Sequence, residues 1–266
     1  MNKEKFQVLV VTMKQDTHKL LDKMNIKSAA VFGNQTNKME EVTFSYNGNK
    51  IEWYSWNEKG VGLNRNNLLM RSTADIVLFA DDDVTYVDDY AEKIVKEFEL
   101  HPQSDVIIFN VPSVCKDERQ KDYIAKKWKK LTLLNCFRHG TFRIAVRREE
   151  ILKKNIFFSL LFGGGAKYSA GEDSLFIADC IRKKLKVYES PVIIGNVSHE
   201  ESTWFKGYSE KYFKDKGAFY ACFSKYFSYL WCLQFAVRRR NLFVKEMSFQ
   251  DACKFMFQGI KEFKRK

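Results

Sequence analysis

Three aspartates stand together in "IVLFADDDVTYVDDY" (Ile76–Tyr90), and Asp88 and Asp89 follow, so five carboxylates fall within nine residues. Two like charges about 4 Å apart repel by roughly 1 kcal/mol in water and about 4 kcal/mol near a protein surface. A chain accepts that cost in a solvated loop, at a helix N-terminus or around a bound cation. Asp88 and Asp89 stand at the start of a helix-period segment, where they favour its dipole. Asp81, Asp82 and Asp83 come before that start, directly after an apolar run. In extended chain Asp81 and Asp83 point to one side, so both can approach one ion. Hard cations such as Mg2+ or Mn2+ take carboxylate oxygens and keep water and substrate phosphates as their other ligands.

A second acid pair lies in "SAGEDSLFIADCIRKKLKV" (Ser169–Val187). Glu172 and Asp173 follow Gly163, Gly164, Gly165 and Gly171 and open a helix. One reading is N-capping by Asp173, worth about 1 kcal/mol.

Positioning these acids requires a regular frame, and the chain supplies one. "QVLVVTM" (Gln7–Met13), "AAVF" (Ala29–Phe32), "IEWYSW" (Ile51–Trp56), "DIVLFA" (Asp75–Ala80) and "DVIIFNV" (Asp105–Val111) read as strands. Helices are expected at Leu20, Leu21 and Met24, over "GLNRNNLLMRS", and where Ala91, Ile94, Val95 and Phe98 share a face before Pro102. This alternation predicts an α/β fold, a mostly parallel sheet with helices on both faces. Ligands in such sheets gather beyond the carboxyl ends of the strands, where the triplet would stand. Beyond residue 112 the rhythm loosens. "KDYIAKKWKKL" reads as a basic, helix-like segment and "TFRIAV" (Thr141–Val146) as a strand, and the glycine-rich loop leads to a helix with Ile177, Ala178, Ile181 and Leu185 inward.

The 266 residues carry a net charge of +12, distributed unevenly. Residues 204–266 hold 14 Lys/Arg against 5 Asp/Glu, and residues 1–203 hold 31 against 28. We therefore expect a catalytic domain over 1–203 and a basic, aromatic-rich helical region over 204–266 that meets an acidic surface. "GAFYACFSKYFSYLWCLQFAVRRR" (Gly217–Arg240) has the length of a membrane span, but Lys225 and Gln234, with Ser224 and Ser228 beside Lys225, favour an interfacial helix with aromatic anchors. Its aromatics cluster in apolar runs rather than alternating with basic side chains, so nucleic acid is not the expected partner. The six cysteines include no C-x-x-C pair and read as reduced, buried thiols rather than zinc ligands. The N-terminal apolar run is too short for a signal peptide. The expected location is the cytoplasm, peripheral on the inner face of the plasma membrane.

"DDDVT" fits D-x-D-x-T, the signature of the haloacid-dehalogenase-type phosphatases, whose first Asp, here Asp81, attacks phosphorus. It also fits the D-x-D that grips a nucleotide-sugar through a divalent metal. A non-catalytic membrane-surface binding protein is a third reading. Three blocks in order give the second more weight. "NEKGVGLNRNN" (Asn57–Asn67), "LFADDD" and "GED" with its helix and "KVYESPVIIGNVSH" together resemble the family 2 inverting glycosyltransferases of GT-A fold, over roughly Phe6–Ser202.

The resemblance implies roles. Asp83 binds the metal that bridges the diphosphate, with Asp81 on the ribose or a metal-bound water and Asp82 beside them at the nucleotide. Gly60, Arg65 and Asn66 match the family segment near the nucleotide. Asp173 is the general base for the acceptor hydroxyl, Glu172 positions the acceptor, and His199 stands where relatives place a further metal or diphosphate contact. Two blocks depart from the family pattern: "VTMKQ" stands for P-T-Y-N, and "FGNQTNK" for D-D-x-S-x-D. Thr12, Asn34 and Gln35 occupy the corresponding base- and ribose-binding places. The implied activity is hexosyl transfer from a nucleotide diphosphate, UDP foremost, to a saccharide or lipid-linked hydroxyl in surface polysaccharide synthesis.

Overall fold

The computed structural model describes residues 4–114, 123–198 and 207–265. From the N-terminus run β1 (Phe6–Met13), α1 (Leu20–Lys23), β2 (Ala30–Gln35), β3 (Glu40–Tyr46), β4 (Asn49–Trp56) and α2 (Val61–Arg71). Then come β5 (Ile76–Asp81), β6 (Val84–Tyr86), α3 (Tyr90–Leu100), β7 (Val106–Asn110), β8 (Lys129–Lys130), β9 (Ile144–Arg147) and α4 (Arg148–Lys153). The last elements are α5 (Glu172–Arg182), β10 (Val187–Ile193), β11 (Gly195–Val197), α6 (Glu210–Phe223), α7 (Ser228–Phe243) and α8 (Phe249–Lys264).

Among the described residues nine strands form one sheet in the order β3-β4-β2-β1-β5-β9-β7-β10-β8. The neighbours β4, β2, β1 and β5 are parallel, as are β7 and β10, while β9 runs antiparallel between β5 and β7. Strands buried on both faces read as continuous apolar runs, and side-chain alternation then assigns each face. Ile76, Leu78 and Ala80 of β5 pack with Leu20, Met24, Tyr90, Ile94 and Phe98 of the helices on one side. Phe79 points the other way, edge-on to Phe158 and Phe176.

The chain divides into two compact units. The first holds residues 1–159 and 173–201, and the second holds 160–172 and 202–266. In the second, α6 and α8 cross in close contact because neither has a side chain at the crossing. A Cβ on Gly217 would stand 1.9 Å from the Met256 carbonyl oxygen, and one on Gly259 would stand 2.0 Å from that of Lys214.

Several local expectations are corrected. The "KDYIAKKWKKL" segment forms no helix among its described residues; Trp128 stacks between His101 and Tyr188, and Lys129–Lys130 pair with β10. The long apolar stretch from Gly217 is two helices rather than one, because Ser224 turns extended and its hydroxyl accepts the Phe227 N–H. Cys222 is exposed, whereas Cys136, Cys180, Cys232 and Cys253 are buried free thiols. Asp89 precedes α3 without capping it and pairs instead with Lys93. Among the described residues no helix is long and apolar enough to cross a membrane.

Candidate active site

The parallel strands end on one edge, and Thr12, Asn34, Gln35 and Asp81 stand at those ends. β1 pairs Thr12 with Asn34 of β2, and Val11 with Asp81 of β5. Asp81 closes β5, and Asp82 and Asp83 make the tight connection to β6. The three carboxylates have different partners. Asp81 accepts from the Arg65 guanidinium at 2.7 Å. Asp82 accepts the Thr12 hydroxyl. Asp83 presents an Oδ1 that is buried and has no hydrogen-bond partner among the described residues.

Burial lifts the Asp82 carboxyl above its usual range, with the Asp81 charge adding and the Thr12 hydrogen bond opposing. Burial first, and then the charges of Asp81 and Asp82, push Asp83 up to about 7. An acid so placed holds a proton near neutrality unless a cation replaces it. No three His, Cys, Asp or Glu side chains among the described residues converge as a cage for a metal ion. The donor set fits a hard divalent ion that takes few ligands from protein and the rest from phosphate and water. Asp83, with its uncommitted buried oxygen, is the carboxylate that would hold it, and the Asp81 charge is felt there. The second strand pair brings later chain to this point: β11 lies antiparallel on β6, and the Ser198 N–H donates to the Asp83 carbonyl at 3.0 Å. Gly195 permits that approach, since a Cβ there would sit 2.6 Å from the Thr85 carbonyl oxygen. His199, the next residue after Ser198, lies outside the described residues.

The segment "GVGLNRNN" runs beside this edge. Gly60 takes φ +117°, a glycine conformation, to open α2. Gln35 donates to its carbonyl at 3.3 Å. Asn66 closes two hydrogen bonds, 2.9 and 2.8 Å, on the backbone of Phe158. Asn34 is buried and braces the turn after β1, exchanging two hydrogen bonds with the Gln15 backbone. Thus Thr12, Gln35, Gly60, Arg65 and the triplet share one edge, while the side chains of Asn34 and Asn66 brace the backbone beside it.

Asp173 stands in the first turn of α5, its Oδ1 accepting the Ser174 N–H at 2.6 Å. One turn on, Phe176 stacks on Phe158 at 4.2 Å and meets Phe79, two residues before Asp81. The Arg65 guanidinium covers the other part of this block, 5.4 Å from the Phe158 ring centre. The aromatic block therefore anchors the α5 turn to the strand that carries the triplet. Glu172 accepts the Gly171 N–H at 3.1 Å within the second unit.

Sequence reasoning missed Phe79, Phe158 and Phe176 as the link between the two acidic segments. It also missed Gly62 and Asn64: a Cβ on Gly62 would reach 2.5 Å from the Ser159 carbonyl oxygen, and Asn64 donates to the Gly33 carbonyl at 2.7 Å. The signal for Asn64 was a polar residue one turn before Leu68, on the buried face of α2. Asn110, which ends β7 and grips the Ala125 backbone through its amide oxygen and nitrogen, was missed as well, its signal being a polar residue closing an apolar strand.

The fold is shared with solved structures. No curated protein sequence matches the chain. Among solved structures, S. aureus TarS 1-349 in complex with UDP-GlcNAc superposes with a TM-score of 0.64 at 15% identity, covering 91% of this chain and 74% of that one. TarS 1-349 in complex with UDP gives 0.64 at 15%, covering 97% and 81%. At that identity the likeness is one of fold, the GT-A arrangement of a mostly parallel sheet between helices. The family model for glycosyl transferase family 2 matches residues 18–154, a span that carries Arg65 and all three aspartates of the triplet. That span exceeds half of the chain, and the protein belongs to glycosyl transferase family 2.

Proposed function

We propose that this glycosyltransferase is metal-dependent and inverting, and that it moves a sugar from UDP to a hydroxyl of a saccharide or lipid-linked oligosaccharide. The observation that carries the reading is Asp83, a buried carboxylate with an uncommitted oxygen at the carboxyl edge of the sheet. UDP is favoured by the TarS complexes of the same fold, one with UDP-GlcNAc and one with UDP. A Mn2+ or Mg2+ ion held by Asp83 would supply charge neutralisation on the leaving diphosphate. Thr12, Gln35, Gly60 and Arg65 would line the nucleotide side, with Asp82 held by Thr12 and Asp81 held by Arg65.

Asp173 is the proposed general base. Its carboxylate takes the acceptor hydroxyl proton as that oxygen attacks the anomeric carbon. The bond from that carbon to the diphosphate oxygen breaks on the opposite face, so configuration inverts and UDP leaves. Glu172, adjacent in sequence, would orient the acceptor. The basic C-terminal region would place the enzyme at the cytoplasmic face of a membrane, where lipid-linked acceptors of surface polysaccharide synthesis are met. The phosphatase reading places its nucleophile at Asp81, which here is engaged by Arg65.

The test is transfer from a panel of UDP-sugars by Asp173→Asn. General-base loss should reduce the rate by about 10²- to 10⁴-fold while UDP affinity stays within about twofold of the parent. Transfer at the parental rate would remove Asp173 from its role. Hydrolysis of a generic phosphomonoester that is lost in Asp81→Asn and kept in Asp173→Asn would replace the reading with the phosphatase.

A further inference from the structure

The first ten residues of α7, SYLWCLQFAV, carry apolar side chains all round the helix, a pattern found in helices that are covered on every side. In the second unit only one narrow stripe of it is buried, through Ser228, Cys232, Ala236 and Phe243. On the opposite side Leu230, Leu233 and Val237 lie in register along the helix and stand 62%, 41% and 66% exposed. The turn before it adds Tyr226 and Phe227, 81% and 62% exposed. Beyond Leu233 a groove of about 550 Å³ runs between α7 and α8, floored by Phe249, Cys253 and Phe257 with Lys254 and Lys261 on its sides.

Charge identifies what covers this face. From Lys225 to Lys245 the chain carries five cations and no acid. Arg238, Arg239, Arg240 and Lys245 form no ion pair among the described residues. A second protein would have to bring a matching acidic, apolar patch, whereas a bilayer of anionic lipid presents both chemistries at once: headgroup charge, and hydrocarbon just below it. The aromatic turn suits the headgroup level, where such rings collect. The 16-residue helix is too short and too polar at its end to cross.

We propose that the outer face of α7 and the turn before it dock on an anionic phospholipid surface, with Tyr226, Phe227, Leu230, Leu233 and Val237 entering the interface and Arg238 and Arg240 meeting headgroups. The proposal rests on the membrane placement put forward above and assigns it to named side chains. It differs from the single long interfacial helix expected from sequence, because α6 has its apolar face committed within the second unit.

The test is sedimentation of the full chain with vesicles of equal parts phosphatidylglycerol and phosphatidylcholine, against phosphatidylcholine alone. The parent should sediment with the anionic vesicles and release as salt rises. Arg238→Gln with Arg240→Gln should weaken binding about 30-fold, two cations at roughly 1 kcal/mol each. Leu230→Ser with Leu233→Ser should weaken it by about tenfold or more with an unchanged circular dichroism melt, since both side chains face solvent. UDP affinity should be unaffected in both variants. A parent that binds neither vesicle overturns the membrane placement itself. A parent that binds anionic vesicles, with both double variants binding equally well, leaves that placement standing and overturns the assignment to α7. A chain that is dimeric in solution and becomes monomeric in Leu230→Ser/Leu233→Ser also overturns it, in favour of a second copy on this face.

Discussion

Arg65 is the residue through which the account can be probed most quantitatively. Its side chain is 4% exposed, and it donates to Asp81 Oδ1 at 2.7 Å. At that distance and an effective dielectric of about 20, the attraction is roughly 6 kcal/mol before both groups are desolvated. Breaking a buried pair from one side costs about 3–5 kcal/mol. Asp81 remains 30% exposed and regains water when the guanidinium is removed, which lowers the figure. Arg65→Met keeps an unbranched side chain against Phe158 and deletes only the charge and its donors. We expect it to destabilise the first unit by about 2–3 kcal/mol, in part because Asp81 then repels Asp82 and Asp83 without compensation. Asp81→Asn should cost less, since it relieves that repulsion. The double variant should recover about 1–2 kcal/mol relative to the sum of the single changes. Urea unfolding, followed by circular dichroism and tryptophan fluorescence on all four proteins, gives the coupling. A coupling below about 0.5 kcal/mol would mean that the pair does not restrain the triplet, and the argument from Arg65 to the geometry of Asp81 would fail.

Two other perturbations bear on the frame. Gly259→Ala should improve intrinsic helix propensity by about 1 kcal/mol, yet its Cβ would fall 2.0 Å from the Lys214 carbonyl oxygen. The helices must part by about an ångström, so we expect a net loss of about 2 kcal/mol in thermal unfolding, and a stabilised variant would refute the close crossing. His139 is buried 3.8 Å from Glu189, and burial first, then Arg143 and Arg138, lower it from 6.5 to about 3. The unfolded chain then binds a proton that the folded chain refuses, so stability falls as pH drops below about 6.5, by about 2 kcal/mol at pH 5; His139→Gln should flatten that part of the profile, and an unchanged profile would contradict it.

Much of the frame was legible because buried parallel strands announce themselves. The apolar runs ending at Met13, Trp56, Ala80 and Val111 are strands here, with boundaries shifted by a residue or two. What escaped was structure made by half-exposed or very short segments. β3 alternates exposed and partly buried residues at the sheet margin, so its apolar content is low, although Asn47 and Gly48 mark its hairpin with φ of +48° and +78°. β6, β8 and β11 have two or three residues each, too few for periodicity to register. At the site the acids were visible as composition, but their partners were not: no pattern in sequence says that Thr12 answers Asp82 or Arg65 answers Asp81. Nor does it say that Phe158, 79 residues from Phe79, closes the space between β5 and α5. Such pairings belong to tertiary contact. Asn66 shows the converse, since a residue matched to a family motif can have its amide committed to the backbone of Phe158.

The central claim is that Asp83 presents a buried carboxylate oxygen to a divalent ion shared with a nucleotide diphosphate. Calorimetric titration of UDP, with and without Mn2+, into the parent and into Asp83→Ala tests it most directly. The account predicts tight UDP binding by the parent only when Mn2+ is present, and weak binding by Asp83→Ala with or without the ion. UDP affinity that is equal with and without Mn2+ in the parent, or unchanged in Asp83→Ala, would contradict it.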